Sequence, residues 1–266
     1  MMKTVLCALS ACLMISACST SSTGRQQITL FSNGELNKMG VQSFEQLKEK
    51  EKIYTNKATN QYVRCIADDI IKHVPSSAHQ GDWEVVVFDS EQVNAFALPG
   101  GKIGVYTGIL SVAKTTDQLA AIMGHEVGHV IERHSNERMS SGQLAQVGMQ
   151  VADVALASQN VQQRNVWMAG LGLGLQYGVL MPYGRTHESE ADIVGQKLMA
   201  KAGFNPNAAV DLWHNMAKVS KGAPPEFMST HPANSTRIKQ LTANLPNVKS
   251  DFQGSVKSQC KRPAKI

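Results

Sequence analysis

Two histidines four residues apart bracket a glutamate in the run His125-Glu126-Val127-Gly128-His129. On a helix, positions i and i+4 share a face, so His125 and His129 can aim both imidazoles at one point. Glu126 lies beside that point, placed to act on a bound water rather than as a ligand. Two nitrogen ligands and a carboxylate base are the parts of a zinc-dependent hydrolytic site. With 8 histidines in the chain, random placement produces this pattern about 0.01 times per sequence of this size. An amphipathic helix whose histidines are satisfied by polar neighbours would show the same residues, so the rest of the chain has to decide.

A catalytic zinc takes three protein ligands and keeps one position for water. A metzincin helix would continue with a glycine and a histidine where this chain has Glu132 and Ser135, and His134 is out of register for the same role. The run Arg185-Thr186-His187-Glu188-Ser189-Glu190-Ala191-Asp192 supplies another candidate. Glu188 and Asp192 share a helix face. Glu188 can bind the metal while Asp192 accepts the free N–H of a metal-bound histidine and fixes its tautomer. Glu190 lies about 200° around the helix from Glu188 and is less suited. The alternative is a solvated acidic helix start, and His187 reads as polar surface.

The elements that must hold these groups follow from periodicity. Leu119, Ile122, Met123, Val127, Val130 and Ile131 recur near a 3.6-residue period, so Thr116 to Ile131 reads as one helix, with Asp117 at the favourable end of its macrodipole. Helices are expected from Asn33 to about Lys52 and from Thr59 to His73, the second stopped by Pro75. Trp83 to Phe88, Val93 to Leu98 and Lys102 to Tyr106 read as strands, the last two forming a hairpin about Pro99-Gly100-Gly101. An edge strand there could pair with an extended peptide, or the hairpin could only pack under the helix. A further helix is expected from Glu137 to Ala157. The uncharged, glycine-studded run from Trp167 to Met181 is too short for a comfortable transmembrane helix. It reads as a buried or lid-forming segment, with membrane contact as the alternative.

The start of the chain concerns location. Lys3, an apolar run from Val5 to Ile15 and then Ile15-Ser16-Ala17-Cys18 read as a secretion signal ending in a lipobox, with Cys18 acylated. An ordinary signal that happens to contain Cys18 is the alternative. Residues 18–32, small and polar, read as a tether. Ser19 after the cysteine points to the outer membrane, with the protein facing the periplasm, and several acyl chains would hold it there stably. The formal charge of +5 is mild and no Lys/Arg run exceeds Lys261-Arg262, which argues against nucleic acid as a partner. Cys65 and Cys260 remain after the leader; in an exported chain they can form a disulfide, or stay as two buried thiols. No linker or repeat divides the rest, so one domain is expected over residues 33–250, with a tail over 251–266.

His-Glu-x-x-His, then Arg-x-x-Glu-x-Glu-Ala-Asp, then Ser229-Thr230-His231-Pro232 followed by Arg237-Ile238, together with the hairpin Asn94 to Gly101, resemble the M48 peptidase family. That family includes CAAX-prenyl-protease and HtpX-type enzymes, and the resemblance covers about residues 60–245. It implies an α+β, mostly helical, gluzincin-like fold with a small sheet beside the metal helix. It implies one Zn2+ held by His125, His129 and Glu188, with Glu126 as general base, Asp192 behind the ligands and His231 in the cleft. His231 would stabilise the oxyanion or cap the metal; read from its residues alone, it could be a structural cap before a helix. Asn94, Ala95 and Phe96 of the hairpin, with Arg185, are the substrate contacts this implies. The expected activity is endopeptidolysis of protein or peptide substrates, with damaged envelope proteins as the substrate class. Outer-membrane assembly machinery is a further partner. The competing reading is a zinc-containing lipoprotein that acts as a chaperone or assembly factor with little proteolysis.

Overall fold

The chain was described from a computed structural model, over residues 18–159, 161–175, 181–219, 227, 231 and 235–264. The expected leader over 1–17 lies outside these residues, as does the turn around His231 apart from that histidine. The fold is α+β and mostly helical, as expected. It divides into two compact units rather than the single domain read from the sequence: residues 1–32 with 133–187, and residues 33–132 with 188–266.

The second unit contains the sheet. Helices α1 (Asn33–Lys50) and α2 (Lys57–Ile71) precede β3 (Glu84–Phe88), β4 (Ala95–Leu98) and β5 (Lys102–Tyr106), while β1 (Cys18–Thr20) and β2 (Gln26–Ile28) belong to the other unit. The strand order is β3-β5-β4. β3 runs parallel to β5 with Val87 opposite Val105; β4 is antiparallel to it with Ala95 opposite Val105. The β4–β5 hairpin therefore forms where the turn glycines place it: Gly100 and Gly101 have φ of 87° and 70°, which other residues resist. Alternation then assigns the two sheet faces. Val87, Ala95, Ala97, Ile103 and Val105 enter the main core with Tyr62, Val63, Ile66 and Ile70 of α2. Phe88 and Tyr106 pack on the opposite face with Phe44 of α1, and Phe96 and Leu98 lie against them.

Helix α3 (Thr116–Ile131) follows, starting on Thr115, whose hydroxyl accepts from the Gln118 N–H at 3.2 Å. Nearly every side of α3 is buried, so it runs through the core rather than over it. Helix α6 (Met181–Lys201) contributes its residues from Glu188 onward to this unit, joined by α7 (Asn207–Val219) and α8 (Ser235–Gly254). The last segment is more than a loose tail. Cys65 on α2 is bonded to Cys260 across 195 residues, and Arg262 donates to the carbonyls of Leu110 and Ala113, both at 2.7 Å. Replacing both cysteines with serine should cost about 2–5 kcal/mol of stability, read as a lowered Tm that reductant no longer changes.

The first unit corrects two expectations. Residues 18–32 form a hairpin of β1 (Cys18–Thr20) and β2 (Gln26–Ile28), not a tether. The reason is a long-range anchor on α4 (His134–Ser158). Arg25 donates to both oxygens of Glu137 at 2.6 and 2.7 Å, Gln27 donates to the same carboxylate at 3.2 Å, and Leu30 N–H reaches Ser140 Oγ at 2.8 Å. His187 is buried rather than surface: its Nε2 lies 2.9 Å from Glu137 and its ring stacks on His134 at 4.3 Å. Burial disfavours the Glu137 carboxylate, but the hydrogen bonds from Arg25 and His187 prevail and its pKa is lowered from 4.5 to about 2. A depressed carboxylate stabilises the fold above its unfolded pKa and ceases to as pH falls through the folded one. Protection of the β1–β2 amides from hydrogen exchange should therefore fade between about pH 4.5 and about 2. In Glu137→Gln that increment should already be missing at neutral pH.

Candidate metal centre

Contact between α3 and α6 begins with small residues. A β-carbon added to Gly124 would lie 2.7 Å from the Gly195 carbonyl oxygen, and one added to Gly128 would lie 2.9 Å from that of Ala191. The two backbones can approach this closely only because side chains are missing at Gly124, Gly128 and Gly195. That approach sets His125 and His129 on one helix against Glu188 and Asp192 on the other.

Four side chains converge there. His125 Nε2 is 3.1 Å from His129 Nε2 and 3.2 Å from His231 Nδ1. Glu188 stands 3.3 Å from His125 Nε2, 3.4 Å from His129 Nε2 and 3.0 Å from His231 Nδ1. One donor atom from each of the four lies within 4.8 Å of all the others. Three imidazole nitrogens and a carboxylate match the ligand chemistry of zinc and of other borderline divalent ions. The donor set therefore fits a metal. His231 occupies the fourth corner, the position that the sequence left open between metal cap and oxyanion donor. Its backbone N–H bonds to the Phe227 carbonyl at 2.8 Å, and the Phe227 N–H in turn reaches the Val93 carbonyl at 3.0 Å, just before β4.

The surrounding shell is built from buried charges. Asp192 Oδ1 lies 3.0 Å from His125 Nδ1, so that nitrogen carries the proton and Nε2 keeps its lone pair free. Arg237, 1% exposed, donates to Asp192 at 2.6 and 2.7 Å and pairs with Glu188 at 2.9 Å. Its guanidinium also stacks over Trp213 at 3.9 Å. Burial opposes ionisation of Asp192, yet the Arg237 charge and hydrogen bonds outweigh it and hold the carboxyl below its ordinary value. Glu188 is likewise penalised by burial and is held well below the carboxylate range by its bonds to His125 and His231. In the metal-free protein burial works against protonation of His125, but Asp192 and Glu188 raise it to about 9. Metal and proton thus compete for the same nitrogen.

Glu126 is set apart from these pairs. It is 4% exposed, its Oε1 has no hydrogen-bond partner among the described residues, and His231 Nε2 stands 3.4 Å away without the alignment of a bond. Burial pushes its pKa up, while the charges of His231 and His125 pull it back. A buried carboxylate oxygen that makes no hydrogen bond, beside a metal-binding set, is a proton acceptor in want of a donor.

The proposed substrate contacts fare differently. Ala95 is buried in the main core. The Phe96 ring lies among Phe44, Phe88 and Tyr106, over Gly104, where any side chain would collide with it. Asn94 is turned on its own chain, its Oδ1 accepting from the Ala95 N–H at 2.9 Å. These side chains serve packing, because alternation leaves a short strand no spare face; what β4 still offers a peptide is its backbone edge. Arg185 is an exposed residue of the other unit, and the guanidinium present at the metal centre is that of Arg237. The sequence displayed Arg237 in its last motif, but nothing local revealed its burial. Trp213 and Phe227 were missed altogether.

Comparison with known proteins agrees with this geometry. Peptidase family M48 matches residues 57–245. The chain is 35% identical over 181 residues to Mitochondrial metalloendopeptidase OMA1 of Schizosaccharomyces pombe, covering 66% of this chain and 51% of that protein. It is 30% identical over 236 residues to Metalloendopeptidase OMA1, mitochondrial, of Homo sapiens, covering 84% and 45%. Similarity to the Beta-barrel assembly-enhancing protease of Escherichia coli is 24% over 211 residues, covering 77% and 42%. The chain spans about half the length of the curated relatives it matches.

Proposed function

Because the chain belongs to peptidase family M48, we propose that it is a zinc-dependent endopeptidase of the bacterial cell envelope, lipid-anchored at Cys18 and acting on misfolded or damaged envelope proteins. The observation that carries the activity is the unpaired Glu126 oxygen beside the four-donor cluster. A structural zinc needs no base.

His125, His129 and Glu188 would hold the ion. A bound zinc supplies Lewis-acid polarisation of the scissile carbonyl and a water acidic enough to be used near neutral pH. Glu126 takes the proton of the attacking water and passes it to the departing amine. Asp192 keeps the His125 proton on Nδ1, and Arg237 keeps Asp192 ionised and oriented. His231 must move its Nδ1 away from Glu188 and His125 before water or a carbonyl can enter the fourth position; released, it is a hydrogen-bond donor for the oxyanion. The β4 backbone edge would hold the peptide extended by strand addition.

For the location, support comes from the Ile15-Ser16-Ala17-Cys18 pattern and from the likeness to a protein named for β-barrel assembly, which also suggests that machinery as a partner. To test the activity, purified protein is incubated with an unfolded protein substrate, with chelator, and with chelator followed by zinc. Cleavage should fall to background on chelation and return with zinc. Cleavage indifferent to chelation would reject the reading, as would a fully metallated protein that cleaves nothing.

A further inference from the structure

The first unit carries a surface that the metal centre does not use. Between Met139 and Gly184 the sequence holds one cation and one anion, Arg164 and Asp153, and these bond to each other at 2.7 and 2.8 Å. What the helices present over this length is otherwise uncharged: large hydrocarbon side chains, with exposed glutamines such as Gln143, Gln146 and Gln150 between them. Val147, Val151 and Val154 follow one another at i, i+4 and i+7 along α4, exposed by 51%, 64% and 69%. On α5 (Arg164–Leu175), Trp167, Leu171 and Leu173 are exposed by 61%, 47% and 60%, and no residue of α5 is buried. Burial, one branch of the expectation for this glycine-studded run, therefore fails over its described residues 167–175: a β-carbon added to Gly172 would come within 3.8 Å of Met149 on α4, while Trp167, Leu171 and Leu173 are left exposed.

Soluble surfaces scatter such side chains singly; a contiguous set marks an interaction site. No helix of the described residues is long and apolar enough to cross a membrane, and α5 at about 18 Å falls well short of a hydrocarbon core of about 30 Å. The pattern fits a helix pair lying in the plane of a bilayer, apolar side chains down. A further observation favours lipid over a protein partner. The apolar stretch is bracketed by Arg138 and Arg185, both exposed, as suits anionic headgroups. Cys18, moreover, opens β1 of this same unit, so an acyl chain there and the apolar stripe would belong to one body.

We propose that the α4–α5 hairpin is a lipid-docking surface, which lays the first unit in the headgroup boundary of the membrane that Cys18 is proposed to join. It rests on that placement, but not on the proteolytic reading. The test uses the mature chain, residues 18–266, with Cys18→Ser so that no acyl chain contributes. Flotation with vesicles of phosphatidylethanolamine and phosphatidylglycerol should carry this protein upward. Adding Val151→Asp and Leu171→Asp, both at exposed positions, should lower its partition by about tenfold or more. Protein that stays unbound, or a doubly substituted form that floats equally well, overturns the proposal. So does a dimer in solution that the two aspartates abolish without any flotation, which would give the surface to a second copy. Cleavage of a soluble unfolded substrate, followed in parallel, reports on the metal centre separately.

Discussion

Replacing Glu126 with Gln is expected to lower peptide hydrolysis by about 10²–10⁴-fold, with the metal content of the purified protein unchanged. Gln matches Glu in shape, so the α3–α6 crossing and the four donors stay in place. What it removes is an acceptor for the water's proton. The buried Oε1 of Glu126 makes no hydrogen bond among the described residues, so the exchange costs only its attraction to His231 and His125 and stability should change little. The same burial predicts the pH profile of the intact protein. Glu126 must be ionised to act, and burial raises its pKa from the ordinary 4.5. The acid limb of kcat/KM should therefore lie higher than for a solvated glutamate, and it should vanish with the substitution. Elemental analysis and a cleavage assay suffice; undiminished cleavage would remove Glu126 from the mechanism.

The largest effect on the fold is expected at Arg237. Its guanidinium joins Asp192 and Glu188 in one buried network and rests on Trp213. Arg237→Met keeps the apolar stem but leaves two buried carboxylates short of a cation, which should cost about 3–5 kcal/mol. Arg237→Lys should recover only part of this, since an ammonium cannot make the paired bonds to Asp192 and stack on the indole together. Urea unfolding of the metal-free proteins measures it. Asp192→Asn is milder, weakening metal affinity by about 10–100-fold through its hold on His125. Equal stability of Arg237→Met and the parent would show that the network contributes no net energy.

The residues of the site were legible where chemistry coincides with helical spacing. His125, Glu126 and His129, and then Glu188 and Asp192, obey the i, i+4 rule within single helices, and spacing alone brings them to one face. Thr116 to Ile131 was readable because Asp117 lies near the start of a strongly apolar, 3.6-periodic run. Long-range partners were not legible. Residues 18–32 look like a flexible polar segment until Glu137, 112 positions from Arg25, is placed beside it. His187 looks like surface for the same reason. The small residues Gly124, Gly128 and Gly195 carry no chemical signal in a sequence, yet they decide how close the two ligand helices come. For the run from Trp167, read as buried or lid-forming with membrane contact as the alternative, the described residues 167–175 rule out burial: Trp167, Leu171 and Leu173 are exposed.

The bridge between Cys65 and Cys260 has a consequence for the order of events in the life of the chain. The disulfide closes a loop across 195 residues, and every group of the metal centre, from His125 to Arg237, lies within that loop. Cys260 is made after all of them. A ribosome that has already released α3 has produced a metal-binding pair without its carboxylate ligand, without Arg237, and without the covalent closure. Covalent closure of the loop is thus possible only once synthesis has passed Cys260, after every residue of the metal centre has been made.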